Sequence, residues 1–76
     1  MSMDEKPFGF ECTYERRVSM AMTEEAQFHG RGSEAKIRAR ARWKTGFVRI
    51  VRVTPYTKQG YITAFGEPNS YLTRFN

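Results

Sequence analysis

The sequence predicts a small α+β domain, an antiparallel sheet with one helix packed on it, in the order β-β-α-β-β-β. Three observations carry that prediction. Phe8, Phe10, Cys12 and Tyr14 alternate with other residues, the mark of a strand with one buried face. Gly30-Arg31-Gly32 breaks the pattern, and Ser33-Glu34 follows as a helix cap with an anion in the first turn. Residues 47–54, FVRIVRVT, are dense in β-branched side chains. The rival architecture is an all-β small barrel, because residues 35–44 also alternate at period two.

Taken in order, residues 1–7 read as a polar, flexible terminus and 8–76 as a single compact domain. A first strand covers 8–14, with Arg16-Arg17 as the turn. A second strand over 18–28 (Val18, Met20, Met22, Ala26, Phe28), interrupted near Glu24-Glu25, completes a hairpin; the alternative is a strand to Thr23 with a loop beyond it. Residues 34–44 then pose a conflict. As a strand, Ala35, Ile37, Ala39, Ala41 and Trp43 line one face and Lys36, Arg38, Arg40, Arg42 and Lys44 the other. As a helix turning roughly 100° per residue, only Ala35, Ala39 and Trp43 share an arc, with Ile37 and Ala41 on the far side. Propensity decides for the helix, since Glu, Ala, Lys and Arg are strong helix formers and three alanines make a poor strand. The expected packing surface on the sheet is then Ala35, Ala39 and Trp43. Thr45-Gly46 ends the helix, and 47–54, apolar on both faces, suits a central strand. A turn at 57–60 leads to an antiparallel partner over 61–65. A second turn at 66–69 precedes a short edge strand over 71–75.

Seventy-six residues make one domain, near the lower limit for a self-sufficient core, and a homodimer would relieve that shortage. Cys12 is the only cysteine, so no internal disulfide is available, and its alternation with aromatic residues reads as burial. There is no signal peptide and no apolar run long enough for a membrane partner, so a cytoplasmic setting is expected. The formal charge of +5 is unevenly spread. Residues 1–30 set Lys6, Arg16 and Arg17 against six carboxylates, a net −3, whereas 31–58 carry nine bases against Glu34 alone, a net +8. Such polarity steers an anionic partner.

Signatures of enzymes are weak. His29 is the only histidine, and no spacing around it forms a catalytic triad; with one Cys and one His, neither a metal nor a cofactor is expected. Glu24 and Glu25 are adjacent and would point to opposite faces of a strand. Gly30-Arg31-Gly32 lacks the Gly-Lys-Ser/Thr end of a phosphate loop. One catalytic alternative is a metal-free ribonuclease of the barnase–RelE type, for which His29, Arg49, Arg52, Tyr61 and Thr63 would have to converge on a sheet. The hairpin-like GYITAF at 60–65 resembles the late strands of such toxins.

The strongest functional signal is basic. Lys36, Arg38, Arg40, Arg42, Lys44, Arg49 and Arg52 form the expected binding surface, with Arg38 and Arg42 meeting the arginines of the neighbouring strand. It suits an acidic protein or the phosphates of DNA or RNA. Tyr56, Tyr61, Tyr71 and Phe75 are candidates for base stacking, though aromatics in so small a chain more often form core.

Residues 34–55 carry a partial resemblance to the small inhibitor of bacterial RNA polymerase found in phage T7. The matching positions are Glu34, Ala35, Trp43, Gly46, Phe47, Val51, Arg52, Val53 and Pro55. That family has a Ser/Thr-started, Ala-containing helix ending in Trp, a Gly-Phe entry, and a basic strand ending in Pro. It binds the polymerase jaw partly through two arginines on that strand. Arg52 matches one of them, Thr54 stands at the other, and the helix here is basic where the family's is acidic. The resemblance implies a phage or mobile-element protein that engages a host or defence protein or nucleoprotein complex, and inhibits or modulates it. Nucleic-acid binding is the alternative.

Overall fold

A computed structural model describes residues 6–66. Strand β1 (Gly9–Ser19) and strand β2 (Met22–Arg31) form a hairpin, followed by helix α1 (Glu34–Arg42), strand β3 (Phe47–Tyr56) and helix α2 (Lys58–Phe65). The three strands make one antiparallel sheet in the order β2-β1-β3. The fold is therefore α+β, as expected, and an open sheet replaces the alternative of a closed barrel.

The alternation in β1 works as read. Phe10, Cys12 and Tyr14 are buried on the face covered by α1, with Phe28, Phe47, Ile50 and Val53 packed alongside. The hairpin turn, however, lies at Met20-Ala21 and not at Arg16-Arg17. Neither arginine supplies the special backbone of a tight turn, and both serve extended pairing instead. Arg16 reaches across to Glu24 (Nη2···Oε2 2.6 Å), and the Arg17 guanidinium donates to the Met20 carbonyl at 3.2 Å. Val18 is an extra residue on β1, between the pairs Arg17–Thr23 and Ser19–Met22.

Helix α1 starts where expected. The Ser33 hydroxyl accepts from the Lys36 N–H at 3.2 Å, and Glu34 pairs with Arg38 one turn on (2.8 Å). Its buried face is the opposite of the one read from sequence. Ile37 and Ala41 are fully buried against Phe10 and Cys12, while Ala35, Ala39 and Trp43 face outward. Ile37 is the helix's only large aliphatic residue, and Ala41, one turn later, lets the backbone approach the sheet. That pair outweighs two alanines and a Trp at the fraying end.

Strand β3 is an edge strand, not the central one; β1 holds the centre. Twice β3 sets one extra residue against β1. Val51 lies between the pairs Thr13–Arg52 and Tyr14–Ile50, and Val48 between Glu15–Arg49 and Arg16–Phe47. These two bulges turn period two into period three, so Phe47, Ile50 and Val53 all face α1 while Arg49 and Arg52 face the other side.

Residues 61–65, expected as a strand, belong to α2. The Thr57 hydroxyl caps the helix by accepting from the Gly60 N–H at 3.1 Å. Tyr61 and Phe65, one turn apart, dock on the sheet face away from α1. Tyr61 lies so close over Gly9 that a Cβ there would sit 2.6 Å from its ring carbons, which explains the glycine. Burial of Tyr61 and the Thr57 cap outweigh the strand propensity of Tyr-Ile-Thr. The strand expected over 71–75 lies outside the described residues, as do residues 1–5.

Candidate interaction site

Helix α1 projects its charge in two rows. Burial of Ile37 and Ala41 fixes the helix rotation, so Lys36, Arg40 and Lys44 lie on the flank toward β2, and Arg38 and Arg42 lie on the other flank. Within the first row, Arg40 lies over Gly30 of β2, where a Cβ would come 2.6 Å from Nη1. Lys44 holds its ammonium 4.5 Å from the centre of the Phe28 ring. Between the rows runs an outward ridge of Ala35, Ala39 and Trp43. Trp43 ends the helix, its N–H bonded to Arg40 O at 3.1 Å, and its side chain is 89% exposed.

Further apolar groups gather at the same end of the sheet. The loop after Trp43 is tied to β1 by the Arg17 N–H to Gly46 O bond of 2.7 Å, made where Gly46 takes a positive φ of 76°. Beside it lie the exposed Val18, Met20 (95% exposed) and Met22 of the hairpin end, and Val48 at the start of β3. Trp, Met and Arg are the residue types enriched in protein–protein interfaces. Sequence reasoning misses these exposed groups because it places Trp43 in the core and Val18, Met20 and Met22 on the inner face of a strand. The signal that marks it is Met20-Ala21-Met22, an apolar turn where Gly, Asn or Asp would normally stand.

The seven bases expected to form one surface do not. Lys36, Arg38, Arg40, Arg42 and Lys44 surround α1, whereas Arg49 and Arg52 stand on the opposite side of the sheet. Arg49 there donates to Glu15 at 3.1 Å. Arg38 and Arg42 thus meet no strand arginine.

Of the five residues considered for ribonuclease chemistry, His29 and Tyr61 are in contact, and Arg52 stands on the same face of the sheet two residues further along β1. His29 Nδ1 lies 2.6 Å from the Tyr61 hydroxyl, and Phe65 stacks flat on the imidazole at 4.0 Å. Thr63 is exposed roughly 200° around α2 from Tyr61, and Arg49 is engaged by Glu15. Glu11, opposite His29 in the ladder, accepts from the Tyr56 hydroxyl at 3.0 Å. That bond, with partial desolvation and the Glu11 charge, raises the Tyr56 pKa above its ordinary value. The contacts of His29 with Tyr61 and Phe65 fasten α2 to the sheet, and the Tyr56–Glu11 bond ties β3 to β1. The Cys12 thiol, beneath α1, is pushed up by burial, an effect that nearby Arg38 and Lys44 partly oppose.

A groove beside the start of α1 is lined by Lys6, Pro7, Phe10, Gly32, Ser33, Glu34 and Pro55, with one cation and one anion and no His or Cys. Among the described residues, no cluster of three or more His, Cys, Asp or Glu could hold a metal ion, and no helix is long and apolar enough to cross a membrane. No protein family matches this chain, and neither a curated protein nor a solved structure is significantly similar to it.

Proposed function

We propose that the protein is a small basic binding module that seats the outward face of α1, with the neighbouring hairpin end, on an acidic surface of a larger protein assembly and modulates its activity. One observation carries the reading: Trp43 stands 89% exposed between two rows of Lys and Arg. Covering a Trp of roughly 200 Å² at about 25 cal/mol/Å² contributes up to about 5 kcal/mol before ordering costs, enough to anchor an interface. The flanking bases would then set orientation and encounter rate. The resemblance to the phage polymerase inhibitors gives the class of partner, a host assembly. The stretch that carries it folds as a Ser33-capped helix closing at Trp43, followed by a Gly46-Phe47 entry into β3. Here the contact moves from the strand to the helix, because Arg52 faces away from α1.

Phosphate-backbone binding is the second reading, favoured by the paired rows of Arg and Lys on α1. A single experiment separates the two. Tagged protein is used to capture partners from a bacterial lysate with and without nuclease, alongside Trp43→Ala and the double variant Arg38→Glu/Arg42→Glu. A defined protein complex that survives nuclease and is lost with Trp43→Ala is the expected result. Capture abolished by nuclease would establish the nucleic-acid reading instead.

A further inference from the structure

The sheet has two outer edges, and they are built differently. On the β3 edge, the bulges at Val48 and Val51, the charges of Arg49 and Arg52, and Pro55 all discourage pairing with another strand. On the β2 edge the bulges and the Pro are absent, and the charges, Glu24, Glu25 and Arg31, are of both signs. β2 pairs with β1 without interruption from Arg31 to Thr23, contains neither Pro nor Lys, and meets no further strand among the described residues.

The charges along β2 are also segregated, with Glu24 and Glu25 in its first half and Arg31 at its end. A strand polarised in this way is complementary to its own antiparallel copy. We propose that β2 is a homodimer edge, where two copies of this chain join their sheets across a two-fold axis.

The alternation of side chains sets the register. A two-fold perpendicular to the sheet keeps both α1 helices on one side, so residues facing each other across the axis must share parity. With the axis at Phe28, Glu25 of each copy stands opposite Arg31 of the other, on the face away from α1. The two Phe28 rings meet on the α1 face. Phe28 is half-buried in the single chain, with Tyr14 on one flank (ring centres 6.0 Å apart), the Lys44 ammonium 4.5 Å from its ring centre and the open edge on the other flank. The second copy completes its cover and extends the thin core. Arg31 is already ordered, its guanidinium 4.1 Å from the centre of the Phe8 ring.

Pairing through β2 uses both unprotected edges, and only the β3 edges remain outside. Association therefore closes at two and does not run on into fibres. The six-stranded sheet would carry two copies of Trp43 on one side, which would make engagement of a repeated or two-fold partner bivalent. The dimer does not depend on the reading of α1.

Sedimentation equilibrium of the full chain, from micromolar to millimolar concentration, tests the proposal. A monomer–dimer equilibrium is expected. Glu25→Arg or Arg31→Glu alone should each raise the dissociation constant about tenfold, since two symmetry-related pairs are lost together, and the combined swap should restore it to within about threefold. Glu25 faces Glu15 in the β1–β2 ladder, so Glu25→Arg relieves a like-charge pair and leaves the monomer's melting temperature unchanged or higher. Loss of the dimer with an intact fold is thus the supporting outcome. A monomer throughout the range, or a dimer indifferent to the charge swaps, overturns the proposal. So does a monomeric full chain whose truncation after Gly66 dimerises, for residues 67–76 would then occupy the edge.

Discussion

Ile37 and Trp43 belong to the same helix and meet opposite fates. Ile37 has no exposed surface, whereas Trp43 keeps 89% of its own. Ile37→Ala should cost about 3 kcal/mol in urea unfolding, combining lost transfer energy with a cavity over Cys12. In so small a domain that is a large share of the total stability. Trp43→Ala should shift the same curve by less than about 0.5 kcal/mol, while binding to the captured partner falls by roughly thirtyfold or more. The same exposure predicts that Trp43 fluorescence changes little on unfolding and shifts to the blue when the partner covers it.

Tyr56 supplies a pH dependence of determinate sign. Its folded pKa is raised, chiefly because its hydroxyl donates to Glu11, so folding favours the neutral phenol. Such a group adds stability at every pH below its unfolded pKa, about 10, and loses that contribution as the pH rises through the folded value. The stability difference between the wild type and Tyr56→Phe should be constant from neutral pH to about pH 10 and shrink above it. Denaturant titrations at a series of alkaline pH values would reveal a flat difference if the bond to Glu11 contributes nothing.

At the scale of elements, the two bulges of β3 decide which way its arginines face. Deleting Val51 leaves the pairs Cys12–Val53, Thr13–Arg52 and Tyr14–Ile50 intact and simply removes one bulge, so the fold should survive. Deleting Thr13 from the unbulged part of β1 would instead turn Phe10 and Cys12 away from α1, and a native-like heteronuclear spectrum should be lost. The bulges also show why the strand was legible and its arginines' direction was not. FVRIVRVT announces a strand by composition, but period two is assumed wherever no bulge is known, and only the repeated apolar-Val-Arg triplet hints at period three. The start of α1 was readable because capping is local chemistry at Ser33 and Glu34. Its buried face is misread when apolar positions are simply counted, because each alanine then weighs as much as the isoleucine. Helix α2 was hidden by β-prone Tyr61-Ile62-Thr63, and what overrides that propensity is tertiary: Tyr61 over Gly9 and Phe65 on His29. The basic character of the site was plain in composition. Its division between the two sides of the sheet depends on those bulges, and its exposed Trp on the rotation of α1.

For the whole molecule, the division of charge governs how binding responds to salt. The five bases of residues 36–44 surround α1, while Arg49 and Arg52 stand behind the sheet among Glu11, Glu15 and Glu25. A nucleic acid reaching all five bases of α1 would release counterions with a log–log salt slope of about −4.5 for duplex DNA and about −3.5 for a single strand. Recruiting the two strand arginines as well would require a ligand that wraps the sheet, steepening the duplex slope to about −6. A protein partner anchored on Trp43 behaves differently. Its complementary charges act mainly on the association rate, and the buried ring sets the dissociation rate, which salt changes little. Surface plasmon resonance of the captured partner at two ionic strengths should therefore show a slower association rate at high salt with a nearly constant dissociation rate. Trp43→Ala should raise the dissociation rate at both ionic strengths, and Arg38→Glu/Arg42→Glu should lower the association rate mainly at the lower one. An equilibrium constant falling with the full five-charge slope, unaffected by Trp43→Ala, would place the binding energy in phosphate contacts and remove the tryptophan from the interface.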